Sequence, residues 1–174
     1  DGGVIEVYYV QEGYKTIGYD VEYYINGNLQ EVESVRKSVL EEESDYLTVN
    51  IENINVTNKY EGYKFDKTVP GVIPNTILNG EKIKVYYVEE GLKTLSYEVR
   101  YYLEGILKDT ETYIEMHEEN YTGNMSVDTN SINTTNKYGT EYNFERTNPS
   151  PIPSTIEDGG VIEVYYVQEG YKTI

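Results

Sequence analysis

No cysteine occurs among the 174 residues of this chain, which excludes disulfides, thiol nucleophiles and thiolate metal sites together. Tryptophan is also absent, phenylalanine occurs twice and histidine once. Basic residues are scarce, with 14 Lys and Arg against 31 Asp and Glu and a formal charge of −17. Residues 1–17 carry −2, residues 18–95 carry −6 and residues 96–174 carry −9. No part offers the positive field that phosphate backbones or anionic lipid head groups require, so nucleic acid and membrane surfaces are disfavoured as partners. No apolar run approaches the ~20 residues of a membrane-spanning helix, and none is expected to insert in a bilayer. Neither a signal peptide nor an anchor is seen, as expected of a segment from inside a longer protein.

Tyrosine, by contrast, occurs 21 times. It suits half-buried positions on a pleated sheet, where the ring packs and the hydroxyl finds a polar partner. Together with abundant β-branched residues it marks a folded chain, since disordered chains lack both.

The tyrosines fall in a repeat. Asp1–Ile17 returns letter for letter as Asp158–Ile174 and, diverged, as Gly80–Leu95. Ile5-Glu-Val-Tyr-Tyr-Val10 matches Ile83–Val88 after 78 residues and Ile162–Val167 after another 79. Repeats take precedence over other sequence signals. They divide the chain into the closing strand and linker of a preceding copy at 1–17, one module at 18–95 and a second at 96–174. The identical 17-residue ends beside diverged interiors imply duplication of a two-module block of 157 residues.

Within the first module, Tyr19, Val21, Tyr23 and Ile25 alternate with polar neighbours and predict a strand. Asn26-Gly27 follows, the pair that best tolerates positive φ at both centres of a type I′ hairpin turn. The return segment is ambiguous locally, because Leu29, Val32, Val35, Val39 and Leu40 also fit a helix face. Its copy Thr110, Thr112, Ile114 and Met116 alternates, and homologous positions share one fold, so a strand through Lys37 is expected, with a short helical turn at 39–44 left open. Leu47, Val49 and Ile51 predict a third strand. Thr57-Asn-Lys-Tyr60 recurs as Thr135–Tyr138, and Glu61-Gly62 turns the chain into a strand at Tyr63–Thr68. Pro70-Gly-Val-Ile-Pro74, like Pro149–Pro153, forbids a central strand and predicts an extended connection along an edge. Lys82–Glu89 is the closing strand, and Glu90–Ser96, about seven residues long, reads as a linker that restricts the hinge between modules.

The pattern Tyr19–Gly27, Gly62–Lys64, Pro70–Pro74 and Ile83–Val88 resembles the MucBP-like (mucin-binding-protein-type) tandem repeats of Gram-positive surface proteins. The second module departs at Glu141-Tyr142-Asn143, where the first has Gly62-Tyr63-Lys64. The resemblance covers the whole chain. It implies two mainly β modules, α+β at most, β-grasp-like, about 78 residues each and end to end, in the monomeric stalk of an extracellular adhesin anchored to the cell wall through other parts of the protein. The absence of cysteine accords with such chains, which fold without oxidative help.

Catalytic, cofactor and metal sites are not expected. His117 has Val39 as its counterpart and reads as a surface residue. Glu41–Glu43 and Glu118–Glu119 lack the alternating oxygen ligands and turn glycine of a calcium loop. Asn55-Val-Thr57, Asn120-Tyr-Thr122, Asn124-Met-Ser126 and Asn133-Thr-Thr135 match the glycosylation pattern, which arises by chance in Asn/Thr-rich chains. The sharpest repeated feature is the paired tyrosines at 8–9, 23–24, 86–87, 101–102 and 165–166. Neighbours on a strand face opposite ways, so each pair places one ring in the core and one outside, either as a cross-strand aromatic ladder or as a platform for sugars. Two functions follow: a non-catalytic spacer that projects an adhesive head, its partners the neighbouring repeats, or a weak multivalent module for a host glycoprotein or glycan.

Overall fold

A computed structural model describes residues 3–170; residues 1, 2 and 171–174 lie outside the described residues. The protein is mainly β, and its chain divides into two compact units, Asp1–Tyr87 and Val88–Ile174. Unit 1 contains β1 (Tyr14–Ile25), β2 (Asn28–Leu40), β3 (Tyr46–Thr48), a single 3₁₀ turn at Ile51–Asn53, β4 (Lys64–Val69), β5 (Thr76–Leu78) and β6 (Lys82–Val88). The four long strands form one mixed sheet in the order β2-β1-β6-β4, and β3 pairs with β5 in a separate ribbon. The first and last strands lie side by side and parallel, with Asp20 opposite Lys82 and Ile25 opposite Tyr87.

Unit 2 repeats this plan. Strands β7 (Leu92–Leu103), β8 (Ile106–Glu118), β9 (Met125–Ser126), β10 (Tyr142–Asn148), β11 (Thr155–Ile156) and β12 (Gly160–Gln168) form a sheet ordered β8-β7-β12-β10 and a β9–β11 ribbon. The β7–β12 pair is parallel and β10 is antiparallel to β12.

The opening hairpin forms as its turn signal predicts. Asn26 and Gly27 have φ of 48° and 79°, and Ile25 faces Asn28 across a two-residue loop. In unit 2 the same turn is made by Glu104 and Gly105 at 53° and 77°. The return strand is longer than expected, running to Leu40, and a hydrogen-bonded turn from Leu40 to Glu43 takes the place of helix at 39–44. One bulge in each hairpin shifts the register, between Tyr23 and Tyr24 and between Tyr101 and Tyr102.

Three expectations are corrected. The linker at 90–96 is largely strand, because β7 begins at Leu92 just as β1 begins at Tyr14. Ile17 and Leu95 are core residues, and the inward alternation simply starts one pair earlier than the Tyr19 and Tyr97 positions suggest. The third strand is shortened: Leu47 and Val49 are buried, but ladder pairing stops at Thr48 and Ile51 opens the 3₁₀ turn.

The last correction concerns Val4–Val10, which forms no strand. Gly3–Gln11 has the sequence of β12, yet Ile5 and Tyr9 are 90 % and 94 % exposed while Ile162 and Tyr166 are at 0 %. In β12 the segment is hydrogen-bonded between β7 and β10, whereas Gly3–Gln11 makes no ladder. Alternation fixes which side chains share a face, and a neighbouring sheet edge is what turns that face into a strand.

The core lies between the inner face of each sheet and the crossover that spans it. In unit 1 it gathers Ile17, Tyr19, Val21 and Tyr23 from β1, Ile83, Val85 and Tyr87 from β6, and Leu47, Val49, Ile54 and Ile77 from the crossover. Unit 2 assembles Leu95, Tyr97, Val99, Tyr101, Ile162, Val164 and Tyr166 against Met125, Val127, Ile132 and Ile156.

Candidate functional surface

Each strand pair sends one tyrosine in and one out. Tyr23, Tyr87, Tyr101 and Tyr166 point into the cores. Tyr24 and Tyr86 face each other across the parallel pair and stack at 4.9 Å with 20° between planes, and Tyr102 stacks on Tyr165 at 4.8 Å and 14°. These are cross-strand ladders, each contributing about 0.2–1 kcal/mol.

The inward rings do more than fill space. The crossover lacks α-helix, so the backbone amides outside its short ribbon and 3₁₀ turn need other partners. Tyrosine hydroxyls supply them. The Asn50 and Asn55 N–H groups donate to Tyr19 Oη at 3.4 Å and Tyr23 Oη at 3.1 Å. Tyr87 Oη accepts from Lys59 N–H at 3.3 Å and donates to Asn55 C=O at 2.9 Å. Unit 2 repeats the bonds, with Asn133 N–H on Tyr101 at 3.2 Å and Tyr166 donating to Asn133 C=O at 2.9 Å. Both phenylalanines also serve this cluster: Phe65 and Phe144 meet Tyr87 and Tyr166 edge-on at 6.0 and 6.1 Å.

The recurring Thr-Asn-Lys-Tyr segment is the other half of this arrangement. Asn55 Oδ1 accepts from the Thr57 and Asn58 N–H groups at 3.0 and 3.2 Å, and Asn133 does the same for Thr135 and Asn136 at 2.9 and 3.1 Å. Two of the four glycosylation-like asparagines are therefore loop-forming residues, their amide oxygens engaged in the fold. Lys59 Nζ sits 4.3 Å above the Tyr23 ring and bridges Glu31 at 2.8 Å and Glu33 at 3.3 Å. Lys137 sits 4.1 Å above Tyr101 and bridges Asp109 and Glu111 at 2.9 and 3.5 Å. Hydrogen bonding to Glu31 leads the causes that hold the Lys59 ammonium above the usual lysine range.

On the outer face the carboxylates are engaged as well. Burial pushes the Glu22 carboxyl up, but hydrogen bonds from Lys82 and Tyr24 outweigh it and leave it below the ordinary range. Lys82 reaches Glu22 at 2.6 Å across the β1–β6 pair. Glu163 follows the same balance, with Asn148, Tyr165 and Tyr102 overcoming its desolvation. Arg146 lies 3.8 Å over the Tyr165 ring, so that ring has Tyr102 on one face and a guanidinium on the other. A sugar needs an open aromatic face to stack on, and this ring presents none.

His117 is partly exposed. It stacks on Tyr121 at 3.9 Å, and its Nε2 lies 2.9 Å from Glu115. Glu41–Glu43 are exposed in the turn after β2, where Glu43 accepts from the Leu40 N–H at 3.2 Å. Glu118 ends β8 and Glu119 lies in the turn after it. Among the described residues no group of three or more His, Asp or Glu side chains converges as metal ligands would.

Sequence reasoning named the paired tyrosines but missed the hydroxyl-to-crossover bonds. Their signal was present: Thr57–Tyr60 recurs without change where the surrounding loop diverges, which is how a segment with buried polar obligations behaves. No protein-family model matches the chain, and no curated protein matches it.

Proposed function

We propose that the chain is a non-catalytic repeat region of a bacterial surface protein of the MucBP-like kind, and that it acts as a spacer that projects an adhesive head from the cell wall. One observation carries the reading. In each unit the first and last long strands are parallel neighbours, so the chain enters at one end of the sheet and leaves at the opposite end. Each module therefore offsets its exit from its entry by about the length of its closing strand, about 23 Å for a seven-residue strand. An antiparallel arrangement would bring entry and exit together and add no reach.

The charge supports the same reading, since acidic modules repel one another and resist collapse into a cluster. The alternative of a glycan- or mucin-binding module draws less support, because the outer tyrosines are stacked on one another and their hydroxyls and flanking carboxylates are engaged within the sheet.

The test is reach. A fluorescent head displayed on cells above one, two and four copies of the two-unit chain should stand farther from the wall by a constant increment per copy. No change in height with copy number would end the spacer reading. Binding to mucin glycoprotein that is lost in Tyr24→Ser with Tyr102→Ser, with the fold intact, would favour the binding module instead.

A further inference from the structure

We propose that the parallel β1–β6 and β7–β12 pairs are shear-loaded clamps that let each module bear tension without unfolding. The inference rests on the spacer reading for its biological purpose and on topology for its physics. Tension reaches a module through the start of its first strand and the end of its last. In a parallel pair those two points pull in opposite directions along the strands, so the ladder bonds between them are loaded at once. In an antiparallel hairpin pulled at its open end they would be loaded one after another. The remainder of the module, from β2 to β5, lies between the two clamped strands in sequence and is shielded until the clamp gives way.

Both clamps are reinforced where the load falls. Six consecutive residues, Asp20–Ile25, are in register with Lys82–Tyr87, and seven, Tyr97–Leu103, with Gly160–Tyr166. Each ladder is extended at its far end by one more backbone bond, from Asn26 N–H to Tyr87 C=O at 2.9 Å and from Glu104 N–H to Tyr166 C=O at 3.0 Å. At its near end Gly80 N–H donates to Gly18 C=O and Gly159 N–H to Ser96 C=O, both at 2.8 Å. A side chain closes the same end: Asn79 Oδ1 accepts from Gly18 N–H and Asp158 Oδ1 from Ser96 N–H, again at 2.8 Å in both units. The two caps differ in residue type and agree in geometry. The tyrosine stacks, 24 on 86 and 102 on 165, tie the same strand pairs side chain to side chain, as the Glu22–Lys82 pair does in unit 1.

Single-molecule pulling on the full chain tests the proposal. Because the sequence holds no cysteine, handles attach only where cysteine is introduced. Pulled from its two ends, the chain should extend in two abrupt steps of roughly 25 nm, each releasing about 75 residues at full extension. Pulled between Glu12→Cys and Glu41→Cys, which flank the open end of the β1–β2 hairpin, unit 1 should begin to yield by unzipping at a force several-fold lower. Removing the caps by Asn79→Ala with Asp158→Ala should lower the end-to-end force and leave the Glu12–Glu41 force unchanged, a directional loss that general destabilisation does not produce. Equal forces in the two geometries, gradual extension without steps, or equal weakening of both geometries by the cap variants would overturn the clamp. A strong clamp in a chain whose displayed head gains no height with copy number would remove the spacer and leave the clamp standing.

Discussion

Tyr87 and Tyr138 belong to one type of residue and occupy opposite positions in the energetics. The Tyr87 hydroxyl serves Lys59 N–H and Asn55 C=O, so Tyr87→Phe leaves part-buried backbone groups without this partner and should cost about 1–3 kcal/mol. The buried Tyr138 hydroxyl has no hydrogen-bond partner among the described residues. Tyr138→Phe should therefore be neutral or stabilising, with the ring still edge-on to Tyr166 at 5.3 Å. Urea unfolding of the two variants checks the contrast, and equal losses would contradict it. Protonation tells the same story. Burial first pushes the Tyr101 and Tyr138 hydroxyls up to about 12 from 10.0, so the folded state holds protons that the unfolded state releases. Stability from these groups should be complete below pH 10 and fall as pH rises toward 12. Glu22 and Glu163 lie below their ordinary 4.5, so their contribution should be present above pH 4.5 and decline below it. A melting profile across pH, with absorbance at 295 nm following tyrosinate, reads both limbs; a profile that rises above pH 10 would contradict the assignment.

Elements form here where a local signal meets a neighbouring edge. The Asn26-Gly27 turn, the alternation of β1 and the closing strand were legible in sequence because each is a short-range pattern. The strand failure at Val4–Val10 was not, since the same seven side chains lie in β12 when flanked by two strands. The linker was misread because Lys15-Thr16 and Lys93-Thr94 are polar and hid the inward Ile17 and Leu95. The candidate site was legible in outline, as paired tyrosines, but the partners of their hydroxyls come from a loop whose path no periodicity encodes. Gly18 shows how finely two copies of one element diverge. A Cβ there would lie 2.4 Å from Arg36 Cδ and 2.5 Å from Val35 C=O, while its counterpart Ser96 faces Ile114. Arg36 folds over the glycine to reach Tyr19 C=O at 3.0 Å and Asp20 at 2.8 Å. Gly18→Ser should thus destabilise unit 1 by about 1–3 kcal/mol. Adding Arg36→Ile should recover part of the loss through a favourable coupling. Strictly additive effects in a double-mutant cycle would show that Arg36 is not what the added Cβ displaces.

The whole molecule repeats one internal solution twice: helix-free crossovers satisfied by tyrosine hydroxyls, lysines held over aromatic rings, and a parallel pair of first and last strands. Acidic charge on every part disfavours close association of like modules. The proposed spacer role requires that the chain path advance by a fixed length with every module. Small-angle scattering on chains of two, four and six modules measures this most directly. The maximum dimension should grow by a constant increment of about 23 Å or more per module. Growth with the cube root of mass, as for a compact particle, would contradict the account.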